Sequence, residues 1–200
     1  MIFRRRNPIL SVLVSIALSG HGLLAQPICE TSRDDVDEFT GDHVIQITAS
    51  HYSNGPKFDW IAINDDVCLR LDWTMDDGRS AVVFEGDTLM LKLENDMVVV
   101  LKSKETTVGK AKIGEDGVKR THGTFCYVVE HEQFFMINHF WVQKLRINFR
   151  EGHRDLETAH DPGWQMGLWR SSNCMRQALS LQPDPSFISS FGEHRSPIDQ

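Results

Sequence analysis

His131, His139, His153 and His160, set among acidic residues, are the side chains of this 200-residue chain whose types and spacing come nearest to chemistry. Imidazole both ligates metals and moves protons near neutral pH. The metalloprotease pattern HExxH needs two histidines on one helix face, but Glu132 follows His131 and position 135 is Phe135. A spacing of seven or eight residues could bring two imidazoles together in a loop, yet a tetrahedral site needs a further ligand and none is evident. These histidines read as surface or hydrogen-bonded residues. A hydrolase or metal-dependent enzyme assembled from His131, His139, His153 and nearby acids is the alternative. The acids Asp65, Asp66, Asp72, Asp76 and Asp77 fit no EF-hand, because Trp73 stands five residues before Gly78, where that loop needs an acid. They read as turn residues whose carboxylates bond their own backbone. No GxSxG elbow marks a nucleophilic serine.

Four cysteines, Cys29, Cys68, Cys126 and Cys174, lie too far apart for a CxxC metal or redox motif. In an exported protein they are candidates for up to two disulfides, with three pairings open; otherwise they are buried apolar thiols. Cys126 lies in the apolar run "TFCYVV", where a reactive thiolate is disfavoured. Among the five tryptophans, Trp73 follows Leu69 and Leu71 on one strand face and belongs to the core. Trp60, beside Asp59, and Trp169, off the main stripe of the last helix, are the candidates for an exposed aromatic patch that binds a sugar, a peptide or a partner protein. Burial is the commoner fate of such residues.

These residues need a frame, and the chain supplies one from its start. Arg4-Arg5-Arg6, an apolar run from Ile9 to Leu18 and small residues up to Ala25 have the three-part layout of a secretory signal. The stretch falls short of the roughly 20 apolar residues that cross a bilayer. Residues 1–25 are therefore expected to be cleaved, leaving no membrane span. Their removal takes three arginines and no acid from 21 basic and 28 acidic residues, so the mature chain carries a formal charge of −10. Such a balance argues against nucleic acid, whose phosphates require clustered bases. Lys110, Lys112, Lys119 and Arg120 form the one basic grouping, and they flank a turn as a solvated hairpin would.

Beyond an acidic surface segment, Cys29 to Asp42, short strands alternate with turn signals: His43 to Thr48, Phe58 to Ile63, Cys68 to Trp73, Ser80 to Phe84, and a hairpin through "EGDTLMLKLENDMVVVLKSK". Glu115-Asp116-Gly117 makes another turn before a strand from Thr124 to Val129. Glu132 to His139 is dense enough in apolar residues for a short helix. Trp141 to Phe149 alternates as a half-buried strand. Asp161 can cap a helix with Pro162 at its first position, and Trp164, Leu168, Met175 and Leu179 share one stripe. Beyond Gln182 the composition reads as a disordered tail.

The segments "DDVDEFTGD", "INDDVCLRL", "EGDTLMLKLENDMVVVL" and "KLRI", in that order after Cys29, resemble a group of uncharacterised exported β-rich proteins of Bacteroidota-type bacteria with a "DEFTG"-like acidic opening. The resemblance covers roughly residues 29 to 150. It implies an extracytoplasmic location and a β-rich fold, and carries no catalytic residue.

The chain is thus expected to hold a signal peptide over 1–25, a single β-rich domain over 26–181 and a tail over 182–200. The fold class is α+β, a mainly antiparallel β-sheet or sandwich with a short helix and one C-terminal helix packed on it. The expected function is that of an exported, non-catalytic binding or structural module, periplasmic or secreted, without cofactor or metal. Its partner would be an envelope protein, a peptide or a glycan.

Overall fold

The structure, a computed structural model, describes residues 29, 31–49, 56–75, 81–158 and 160–191. The expected signal segment, Asp76 and Asp77, and the end of the tail from residue 192 lie outside the described residues. The strands are β1 (Thr31–Val36), β2 (His43–Thr48), β3 (Lys57–Ile63), β4 (Asp66–Met75), β5 (Val82–Val83), β6 (Thr88–Leu93), β7 (Val98–Ser103), β8 (Thr107–Val108), β9 (Lys110–Ile113) and β10 (Lys119–Val129). Helix α1 (His131–His139), strands β11 (Val142–Phe149) and β12 (Gly152–Glu157), and helices α2 (Pro162–Ala178) and α3 (Pro185–Phe191) follow. One antiparallel sheet runs β1-β2-β3-β4-β10-β7-β6-β11-β12, with β9 alongside the start of β10, while β5 and β8 pair separately. The fold is α+β and mainly antiparallel β, as the sequence pattern predicts.

Period-two alternation decides which face of the sheet becomes the interior. In β6, Leu89, Leu91 and Leu93 are buried while Lys92 on the opposite face is exposed and pairs with Asp96 at 2.8 Å. The same inner face collects Val99 and Leu101 from β7, Phe125 and Tyr127 from β10, Leu69 and Leu71 from β4, Phe58 and Trp60 from β3, and Ile45 and Ile47 from β2. Turn chemistry sets the register: Asp96 sits at φ 64°, and the Asn95 side chain accepts the Met97 N–H at 3.1 Å.

Helices close this inner face. Phe134 of α1 meets the fully buried Trp60 edge to face at 5.1 Å, and Trp164 of α2 meets Phe58 in the same way at 5.1 Å. Asp161 accepts the Trp164 N–H at 3.0 Å with Pro162 in the first turn, so the predicted start of α2 is present. Small buried residues let α1 and α2 approach, and Asn138 donates to Ser172 Oγ at 2.8 Å between them.

Three parts differ from the sequence reading. The acidic opening segment contains strand β1, which pairs with β2 yet is exposed throughout. Backbone pairing needs no apolar face, and charges on an edge strand discourage pairing with another chain. Strand β12, the opposite edge, is likewise polar and gave no alternation to read. Residues 185–191, expected within a disordered tail, form α3, anchored by the buried Phe187. Two disulfides complete the frame. Cys29–Cys174, with an S–S distance of 2.05 Å, ties the start of the described chain to α2, and Cys68–Cys126 joins β4 to β10 on the outer face.

Candidate functional site

The sheet and helices distribute the four histidines rather than gather them. His131 and His139 stand at the two ends of α1, His153 lies on edge strand β12 opposite Asn148, and His160 precedes α2. Among the described residues no group of three or more His, Cys, Asp or Glu side chains could hold a metal ion. Asp72, in the set weighed for calcium, lies beside His122 at 3.3 Å on the outer face. The basic grouping is the β9–β10 hairpin, with Arg120 paired to Asp116 across its turn.

The aromatic candidates separate as sharply. Trp60 is no surface residue: its strand alternation points it inward, where Phe134 covers it. Trp169 is half-buried and lines a depression of about 10 Å³ with His139, Trp141, Gln165 and Leu168. That is room for about one water molecule.

A larger site lies between α1 and α3. Residues 131, 135 and 139 recur every four positions, so His131, Phe135 and His139 form one stripe along α1. Against it stand Phe187 and Phe191, also four apart. Ring centroids are 4.8 Å apart for His131–Phe135, 6.0 Å for Phe135–Phe187, 5.9 Å for His139–Phe187 and 4.9 Å for Phe187–Phe191. Between the helices opens a cleft of about 320 Å³, lined by His131, Glu132 and Phe135 from α1, by Ser186, Phe187, Ser190 and Phe191 from α3, and by Asp184 just before α3. Three phenylalanines form its walls, and the other five residues bring polar groups to it.

Asp184 is fixed by its neighbours. It accepts the Ser186 hydroxyl at 2.5 Å and the Ser186 N–H at 2.7 Å. These bonds, with the nearby His131, hold its carboxyl below the usual carboxylate range. Ser190 Oγ donates to the Ser186 carbonyl at 2.8 Å. Both serine hydroxyl protons are therefore given to acceptors in or beside α3, and neither bonds to the imidazole that would have to activate a nucleophile.

Of the predicted site residues, only His131 lines this cleft; Phe187, Phe191 and Asp184 lie in the segment whose composition reads as a tail. A signal was available. Asp184-Pro185 repeats the Asp161-Pro162 pair that opens α2, and Phe187 and Phe191 keep helical spacing. No protein-family model, curated protein or solved structure matches the chain.

Proposed function

We propose that the chain is an exported, non-catalytic binding module acting in the periplasm or outside the cell, with the α1–α3 cleft as its ligand site. The observation that carries this reading is the cleft itself, about 320 Å³ walled by Phe135, Phe187 and Phe191 with polar groups around it. Ligand pockets combine mostly apolar walls with a few convergent polar groups in this way, and their volumes begin at roughly 300 Å³. One feature supports the location: two disulfides suit an oxidising compartment. Among the described residues no helix is long and apolar enough to cross a membrane.

The test is a screen of small neutral and charged fragments by two-dimensional amide NMR on the full exported chain. Shifts clustering at Glu132, Phe135, Phe187 and Ser190 are the expected result. Shifts clustering on the outer sheet face, with none in the cleft, would overturn the assignment of the site. Fractionation of native cells, with intact mass, tests the location: a protein beginning near residue 26 outside the cytoplasm is expected.

The enzymatic alternative expected around His131, His139 and His153 keeps only His131 in the cleft, but Asp184, Ser186 and Ser190 share it and give a hydrolase reading of their own. Treatment with a fluorophosphonate, which labels activated serines, separates the two readings. No labelling is expected, and stoichiometric labelling at Ser186 or Ser190 would establish a hydrolase instead.

A further inference from the structure

We infer that the α1–α3 cleft takes a small organic cation, an ammonium or guanidinium group carried on an apolar body. This rests on the reading of the cleft as a ligand site and specifies what enters it. Glu132 and Asp184 bring two carboxylates against the single imidazole of His131, so the cleft stays net negative whether or not that ring is protonated. Among the described residues no lysine or arginine lines it. Beside two serines, the rest of the lining is three phenylalanines, Phe135 and Phe187 buried and Phe191 half-buried, and aromatic rings attract cations held over their faces within about 6 Å of their centres. Carboxylate and ring thus favour the same sign of charge.

Other ligand classes fit less well. An anion would meet Glu132 and Asp184 as like charges. A neutral apolar ligand would strip water from both carboxylates and return nothing. A cation with an apolar body satisfies both halves of the lining at once, the charge against the acids and the body against Phe187 and Phe191. The volume, near the small end of ligand pockets, admits one such group rather than an extended chain. A free amine and the side chain of a lysine or arginine in a peptide share this chemistry.

The experiment titrates the full exported chain with choline, with N-acetyl-arginine amide, and with 3,3-dimethylbutan-1-ol, the neutral isostere of choline, following amide shifts by NMR. The better cation should bind in the cleft roughly tenfold more tightly than the neutral alcohol. Glu132→Gln, a change at an exposed position, should weaken that binding several-fold, whereas Glu151→Gln in the β11–β12 turn should leave it unchanged. Tighter binding of choline would identify a free quaternary amine as the source, and tighter binding of the arginine derivative a peptide side chain; either supports the inference. Equal affinity of choline and the alcohol at the cleft would overturn the cation while leaving the cleft a ligand site. Absence of any shift there with all three probes would remove both readings.

Discussion

Tyr127 stands in the middle of the inner sheet face with its side chain fully buried, and its hydroxyl has no hydrogen-bond partner among the described residues. Burial, and after it the charge of Asp87, pushes the phenol above the usual tyrosine range. A phenol that ionises less readily in the folded chain than in the unfolded one costs no stability below about pH 10 and progressively more above it. The fold should therefore weaken as pH rises past 10, and Tyr127→Phe should flatten that alkaline limb. At neutral pH the same substitution should leave the melting temperature equal or higher, because it removes a polar atom that gains no protein partner. Circular dichroism melts from pH 7 to 11 read both effects. A second pair of residues tests the register. Leu91 points inward and is 1% exposed, while its neighbour Lys92 points outward. Leu91→Asp buries a carboxylate at a cost of several kcal/mol, comparable with a whole domain's stability of about 5–15 kcal/mol. It should unfold the protein, whereas Lys92→Asp should lower the melting temperature by only a few degrees.

At the scale of elements, α2 shows where packing rather than propensity holds the molecule. Trp164 lies on Phe58 and is buried, while Arg170 on the opposite side of the helix is exposed. Trp164→Ala should cost about 3–5 kcal/mol and Arg170→Ala about half a kcal/mol or less, so guanidinium denaturation should give clearly separated midpoints. Coincident midpoints would mean α2 is not docked as described. This helix was legible beforehand because a cap, a proline and an apolar stripe agree. The β6–β7 hairpin and α1 were legible for similar reasons, since one face of each is strongly apolar. The two edge strands were not, because an edge is held by backbone bonds to one neighbour and β1 and β12 carry charges where interior strands carry valine and leucine. Helix α3 is not legible in the sequence, because seven residues are too few for periodicity to stand out against serine and proline. Half the cleft is hidden with it. Trp60 takes the commoner of its two readings, burial: Asp59 faces the opposite side of β3, where Arg70 pairs with it, so its charge says nothing about the tryptophan.

Across the whole molecule, covalent bonds join parts that the sheet order keeps apart in sequence. Cys29–Cys174 closes a loop spanning 145 residues. In the chain-entropy account a bridge of that span contributes about 5 kcal/mol, by restricting the unfolded chain. Paired Cys29→Ser and Cys174→Ser substitution should thus lower stability by roughly that amount, with Cys68–Cys126 retained, and intact mass after alkylation should find no free thiol in the unreduced parent. The connectivity is nested, first cysteine to fourth and second to third. A chain that crosses a membrane amino end first presents Cys29 and Cys68 to an oxidant long before Cys126 and Cys174 appear, and the earliest available bond is a wrong one. Thiol–disulfide exchange must then undo it. Under the proposed export, maturation depends on delay or repair: Cys29 stays reduced, or is released by an isomerase, until Cys174 of α2 has emerged.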